Sequence, residues 1–221
     1  MARIARVVVP ELPHHITQRG NRRQKVFFSD SDYYSYLELM AEWCRKSDVE
    51  IWAYCLMPNH IHLIALPHAG NSLARGIGEA HRRYTRMINF RENWRGYLWQ
   101  GRFASFPLDE KYLYVAARYV ELNPVRAKLV EKAEDYKWSS ALAHIKNEDD
   151  LLVKAKPLLE MAEDWRVFLK QPTAEAEIDL IRKHERTGRP LGNQYFVKKL
   201  ERLFDRVLRP CQAGRKSKKE K

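Results

Sequence analysis

The sequence predicts an α+β fold in which a small antiparallel sheet carries helices on one face. Short strand-like segments recur before residue 110, and amphipathic helical segments lie between them. In the strand-like segments, apolar residues either alternate with polar ones or form a continuous run. Their order, β-α-β-β-α-β-α, is the order of a ferredoxin-like domain. Helical segments continue after residue 124, and those beyond about residue 148 are predicted to form an extension outside that domain.

Each element is predicted from its residue spacing and its boundary residues. Ser29 and Asp32 cap the first helix and Asn71 precedes the second. Asn123-Pro124 stops the third, because the residue before a proline avoids the α region. In chain order the elements are a strand over 14–18, a helix over 33–47, strands over 49–56 and 60–66, a helix over 72–90, a strand over 98–108 and a helix over 109–122.

The chain after residue 124 is helical but less regular, and Glu148-Asp149-Asp150 interrupts it. We place a domain boundary here, which divides the chain into residues 1–148 and a basic helical extension over residues 149–221. Two helices are predicted in the extension, over 174–186 and 193–208, joined by a glycine-containing basic connector. The pair is similar to a helix-turn-helix, although many helical hairpins share this pattern.

Most of the net charge of +12 lies at the C-terminus. From Arg182 to Lys221 the chain has 14 Lys or Arg and 4 Asp or Glu, a net charge of +10, whereas the preceding 181 residues carry a net charge of +2. This distribution indicates an arm that neutralises phosphates. A solubilising tail is the alternative interpretation.

Membrane and secreted classes are not indicated. The sequence has no apolar stretch long enough to span a membrane and no signal-peptide pattern at its N-terminus. We therefore expect a cytoplasmic protein, associated with the nucleoid if it binds DNA. Its three cysteines, Cys44, Cys55 and Cys211, are far apart and form no CxxC pair, so neither a disulfide framework nor a zinc ribbon is indicated.

The most informative motif is His60-Ile61-His62, which lies in a predicted strand. Side chains in a strand alternate between faces, so both imidazoles project to one side and Ile61 to the other. Two neutral imidazoles on one face can bind one metal ion, but the pattern also occurs in strands that bind none. A metal site needs a third ligand and a reacting group elsewhere in the chain.

The helix over 109–122 supplies candidates for both. Tyr119 and Asn123 are four residues apart, so a phenol and an amide oxygen lie on one helix face about one turn from each other. Tyr112 lies on roughly the same face and Tyr114 on another. Ordinary packing is the alternative role for each tyrosine.

Four stretches resemble, in the same order, the single-tyrosine HUH transposases, and in particular their REP-associated branch. They are HITQRGNRRQ at 15–24, MPNHIH at 57–62, WQGRF at 99–103 and YVELNPVRA at 119–127. Together they span residues 15–127, just over half of the chain. A weaker match, RTGRPLG, lies at 186–192 in the extension.

The resemblance implies an HUH endonuclease fold in residues 1–148 that cleaves and rejoins single-stranded DNA at hairpin-forming repetitive extragenic palindromes. Tyr119 would be the nucleophile and would form a 5′-phosphotyrosine, while His60 and His62 would bind Mg²⁺ or Mn²⁺. Insertion-sequence relatives have Gln four residues after the tyrosine, and Asn123 offers the same amide oxygen on a shorter arm as a third ligand. The resemblance is compatible with a monomer or a homodimer.

Basic side chains near the motifs, on one face of the second helix and in the extension are candidates for DNA binding. They are Arg19, Arg22, Arg23, Lys25, Arg75, Arg82, Arg86, Arg102, Arg126, Arg186 and Arg189. Which of them read bases and which contact only phosphates stays open. His14 and His15 are expected to be structural or to contact DNA, and Glu121 is given no catalytic role because it lies about 200° around the helix from Tyr119.

Two other functions stay open. A domesticated, non-catalytic protein could bind the same hairpins, although the intact set of His60, His62, Tyr119 and Asn123 argues against it. An unrelated His-x-His hydrolase is the second alternative, and it predicts cleavage that survives Tyr119→Phe.

Overall fold

The computed structural model describes residues 5–210 and has the predicted element order. The strands are β1 His14–Arg19, β2 Val49–Met57, β3 His60–Pro67 and β4 Ala104–Pro107. The helices that alternate with them are α1 Asp30–Lys46, α2 Ser72–Arg91 and α3 Glu110–Glu121. The remaining helices are α4 Asn123–Arg126, α5 Ala141–Lys146, α6 Lys156–Leu159, α7 Trp165–Lys170, α8 Glu175–Thr187 and α9 Gln194–Leu203. Within residues 5–210, no helix combines the length and the apolar character needed to cross a membrane.

The sheet is antiparallel and its strand order is β2-β3-β1-β4. This is the ferredoxin-like order, so the predicted fold class is confirmed. β1 lies between β3 and β4, with Thr17 opposite His62 and His15 opposite Ile64. Since paired residues of neighbouring strands project to the same face, His15 and Thr17 share a face with His62.

Helices cover both faces of the sheet, which corrects the expectation of helices on one face only. Ile61 and Leu63 of β3 pack with residues of α1 and α2 in one core. Ile64 of β3 and Phe106 of β4 pack with residues of α3, α7 and α8 in a second core. The reason is visible in β3 itself, where all residues but His60 are buried, as expected for a strand enclosed between two layers.

The C-terminal helices contribute to the second core. Trp165, Phe168, Ile178 and Leu191 are buried in the same cluster as residues of β2 and α3. The expected boundary near residue 148 therefore divides two segments that share a core.

A buried polar network joins α3 to the helices that follow. The carboxylate of Glu121, fully buried at the end of α3, accepts hydrogen bonds from Ser140 Oγ at 2.5 Å and from Trp165 Nε1 at 2.7 Å. Its Oε1 also lies 2.6 Å from Nδ1 of His144. A buried carboxylate needs such compensation, and Glu121 thereby holds the helix that carries Tyr119.

Two element boundaries differ from the sequence prediction. β4 begins at Ala104 rather than near Leu98, because the preceding segment is a loop in which Gly101 has φ of +129°, a conformation open to glycine. After Asn123 the chain forms α4 instead of leaving the helical region, because Pro124 lies in the first turn, where no amide hydrogen is needed.

Candidate active site

His60 and His62 line a cleft of about 1090 Å³ on the side of the sheet that faces α3. Ile61 between them is buried in the opposite core, so the expected alternation is confirmed. The two imidazole centroids are 5.1 Å apart. Burial, aided by the charge of Arg19, lowers the pKa of His60 to about 4, and burial lowers the pKa of His62 well below its usual value. Both rings are therefore neutral at pH 7 and keep a lone pair for a cation.

Tyr119 reaches the same cleft from α3. Its ring lies 5.5 Å from the His62 ring in an edge-to-face arrangement. The guanidinium of Arg126 lies 4.3 Å from the Tyr119 ring centroid and also donates to the Tyr119 carbonyl oxygen. Burial, followed by the Glu185 carboxylate, raises the pKa of Tyr119, whereas Arg126 and Arg182 act in the opposite direction. The phenol is thus protonated at neutral pH, with two cations beside it that favour its ionised form.

His15 of β1 contacts His62, a pairing that the sequence alone did not indicate. Nε2 of His15 lies 3.0 Å from Nδ1 of His62, and the two rings are stacked with centroids 5.2 Å apart. His15 is fully buried and is not part of the cleft wall, whereas His62 is. A hydrogen bond at Nδ1 leaves Nε2 of His62 for a ligand, which is how second partners commonly orient metal-binding histidines.

Glu185 of α8 completes this cluster from the C-terminal extension. Its Oε1 lies 3.6 Å from His62 Nδ1 and 3.9 Å from His15 Nδ1, and it has no hydrogen-bond partner among the described residues. Burial raises the pKa of Glu185 to about 7, although nearby arginines oppose this. Ligand atoms of His15, His62 and Glu185 all lie within 4.8 Å of one another, so the three side chains could hold a metal ion. No sequence spacing points to Glu185, because α8 is far from β3 along the chain.

Asn123, the first residue of α4, also lines the cleft. Its Nδ2 is buried and has no hydrogen-bond partner among residues 5–210. A buried amide without a partner is uncommon in folded proteins and fits a side chain that binds a ligand. The structure thus brings all four sequence-predicted residues, His60, His62, Tyr119 and Asn123, to one cleft.

The cleft is strongly cationic. Five of the expected DNA-binding residues line it: Arg19, Arg23, Arg102, Arg126 and Arg186. Arg182 and Lys183 of α8 line it as well and were missed by the sequence analysis, while its acidic residues are Asp179 and Glu185. Positive charge therefore surrounds His62 and Tyr119 from both halves of the chain.

The other expected DNA-binding residues lie outside this cleft; they are Arg22, Lys25, Arg75, Arg82, Arg86 and Arg189. Arg82 pairs with Glu79, and Arg189 donates to the backbone carbonyls of Leu208 and Arg209. The last part of the expected cationic arm, residues 211–221, lies outside the described residues.

Comparison with known proteins identifies the family of this chain. The family model of IS200-like transposases matches residues 8–123, just over half of the chain. The chain belongs to the IS200-like transposase family. The matched segment of this IS200-like transposase runs from the residues before β1 to Asn123, and it contains His60, His62 and Tyr119.

Individual relatives match different shares of the chain. One relative is a curated protein of Haemophilus influenzae, whose name assigns it to the REP-associated tyrosine transposases. It is 31% identical to this chain over 116 residues, and the match covers 48% of this chain and 66% of that protein. The IS200-like transposase thus matches slightly less than two thirds of that relative. Among solved structures, a REP-associated tyrosine transposase bound to a REP hairpin has a TM-score of 0.58 at 19% identity, over 70% of this chain and 92% of that chain, and it shares the fold. A transposase structure from Deinococcus radiodurans gives a TM-score of 0.38 at 18% identity, over 54% of this chain and 96% of that chain.

Proposed function

We propose that this IS200-like transposase cleaves and rejoins single-stranded DNA beside hairpins through a phosphotyrosine formed by Tyr119. The observation that carries the proposal is the Tyr119 ring 5.5 Å from His62 in a cleft that Arg19, Arg126 and other cations line. Phosphodiester transfer requires a nucleophile, stabilisation of negative charge and an aligned phosphate. The cleft contains side chains suited to each of these tasks.

In the proposed cleavage step, Tyr119 Oη forms a bond to phosphorus while the bond from phosphorus to the 3′ oxygen breaks. The phenolic proton is lost during the attack, and the departing 3′ oxygen takes up a proton from solvent. One phosphate ester replaces another, so a 3′-hydroxyl can reverse the step and join two strands without ATP. Arg126, held against the Tyr119 ring, is placed to stabilise negative charge on the tyrosine oxygen or on the phosphate.

The residues of the cleft fit a divalent ion. His60 and His62 are neutral at pH 7, and Asn123 in the same cleft offers an amide oxygen. We propose that these three hold Mg²⁺ or Mn²⁺, with Nδ1 of His62 engaged by His15. When bound, such an ion neutralises charge on a phosphate and orients it. The Glu185 carboxylate lies 3.6 Å from Nδ1 of His62, the ring nitrogen that His15 contacts, so it is not among these three proposed ligands.

Hairpin DNA of the REP type is proposed as the substrate because of the relatives. One is named as a REP-associated tyrosine transposase and another is described as bound to a REP hairpin. The cationic cleft of this chain supports a nucleic-acid substrate independently of them. Since His60, His62, Tyr119 and Asn123 of one chain line one cleft, we expect a monomer to be competent for cleavage.

The test is covalent trapping with an end-labelled hairpin that has single-stranded flanks, in the presence of Mn²⁺. Wild type is compared with Tyr119→Phe and with the matched control Tyr114→Phe, since Tyr114 lies on the same helix but packs against Phe168. We expect a denaturant-resistant adduct in wild type and in the control and none in Tyr119→Phe, with hairpin affinity unchanged in all three. Cleavage that survives in Tyr119→Phe would indicate a hydrolase instead. Hairpin binding without any adduct in wild type would indicate a non-catalytic binding protein.

A further inference from the structure

A second cavity, of about 440 Å³, opens between α2 and the loop before β4. Its walls include the rings of His81, Tyr97, Trp99 and Phe103. The His81 and Trp99 rings are stacked with centroids 4.9 Å apart, and Phe103 meets His81 edge-on at 6.2 Å. Nε2 of His81 lies 2.9 Å from the hydroxyl oxygen of Tyr36, and this hydrogen bond fixes the orientation of the imidazole ring. His81, Trp99 and Phe103 are therefore held in place by other contacts, whereas the Tyr97 ring is exposed.

The cavity adjoins the catalytic cleft. Gln18 and Arg102 line both. Nε2 of Gln18 donates to the Gly101 carbonyl oxygen at 2.6 Å, so the loop that forms the cavity is tied to β1, the strand beside His62. The two cavities are therefore neighbours that share part of one wall.

The cavity has room and an accessible mouth. Tyr97 is 84% exposed, whereas Trp99 is 5% exposed and its indole nitrogen has no hydrogen-bond partner among the described residues. Gly78 of α2 also lines the wall, and a Cβ placed there would meet no atom within 4 Å. An unpartnered indole N–H and open space beside stacked rings fit a planar group that carries hydrogen-bond acceptors.

We propose that this cavity receives one unstacked nucleobase of the single-stranded segment next to the cleavage site. The inference rests on the proposed function and names a base-binding subsite for it. Aromatic side chains bind bases by stacking, and every base has a face that can stack. Arg6, Arg82 and Arg102 line the same cavity. Arg82 pairs with Glu79 and Arg6 lies over the Phe103 ring, and the remaining surplus of positive charge suits a base attached to a phosphate backbone. The subsite would allow the protein to select a position along the strand in addition to binding phosphates.

The experiment combines an abasic scan of the single-stranded flank with a variant that fills the cavity. Gly78→Leu adds a side chain inside the cavity, and Gly70→Leu is the matched control, because a Cβ at Gly70 also meets no atom within 4 Å but Gly70 does not line the cavity. Affinity is measured for wild type and both variants without divalent ions. In wild type and Gly70→Leu, we expect removal of one particular base to weaken binding on the order of tenfold. In Gly78→Leu, the intact and the abasic strand should bind equally.

A second measurement does not depend on packing inside the cavity. 2-Aminopurine at the sensitive position should be quenched by wild type and less by Tyr97→Ala, a substitution of a side chain at the mouth that is 84% exposed. A flat abasic scan in wild type, or a position-specific effect that persists in Gly78→Leu, would overturn the subsite. The adduct assay on Tyr119 is run in parallel. An adduct with a flat scan refutes only the subsite, whereas a position-specific effect without an adduct refutes only the catalytic proposal.

Discussion

The cations of α8 should contribute directly to the salt dependence of DNA binding. Lys183 and Arg186 are exposed and line the catalytic cleft, so replacing both with Gln removes two charges without disturbing the core. For single-stranded DNA, the logarithm of the binding constant falls against the logarithm of salt concentration with a slope of roughly −0.7 per neutralised phosphate. The loss of two contacts should therefore flatten the slope by about 1.4. Between about 50 and 200 mM salt, wild type should then lose roughly sevenfold more affinity than the variant.

Fluorescence anisotropy with a labelled hairpin that carries a single-stranded flank measures this slope. The control is Arg75→Gln with Arg86→Gln, which removes the same charge from exposed positions on α2 that line neither cavity. We expect the control to keep the wild-type slope. An unchanged slope in the α8 variant would refute the assignment of these cations to the DNA-binding surface. Equal flattening in both variants would show that the salt dependence is not specific to the cleft, because α2 contacts DNA as well or because net charge alone sets it.

Three further predictions concern the histidines. His15→Phe keeps a ring in the core but removes the nitrogen that contacts His62. Mn²⁺ affinity measured by calorimetry should therefore fall about 10- to 100-fold. An unchanged affinity would exclude a role for His15 in positioning His62. His60→Ala should abolish Mn²⁺-dependent adduct formation while hairpin binding without metal persists, because the cations of the cleft remain; adduct formation at the wild-type rate would remove His60 from the ligand set. Burial lowers the pKa of His14 to about 4 and of His81 to about 3 from 6.5, so the unfolded chain takes up protons below pH 6.5 that the folded chain does not. Above pH 6.5 these two groups should not affect the free energy of unfolding. Below pH 6.5 each should lower it by about 1.4 kcal/mol per pH unit, down to the pKa of the folded state. Denaturant unfolding at several pH values measures this, and equal stability above and below pH 6.5 would contradict it.

Short-range periodicity explains what could be predicted from the sequence. Alternation along β3 places His60 and His62 on one face, and helical spacing brings Tyr119 and Asn123 near each other. The structure adds that these four residues line one cleft. Their roles in metal binding and catalysis stay predictions.

Contacts between distant segments explain what could not be predicted. His15 meets His62 because of the register between β1 and β3, which residue spacing within either strand does not encode. Glu185 reaches the same place because α8 packs on β4, after a long helical segment without a distinctive motif. Arg75 and Arg86 have the spacing of one helix face but line neither cavity, so their role in DNA binding stays a prediction.

The buried network at Glu121 limits how this chain can be shortened. The family match ends at residue 123, yet the partners of the Glu121 carboxylate, Ser140, His144 and Trp165, all lie beyond that point. A fragment cut at residue 123 would lose every one of these partners, and with them the residues that pack around the end of α3. The segment that the family model matches therefore ends before the residues that hold the end of α3 in place. A shortened version of this chain would have to retain at least α7, the helix of Trp165.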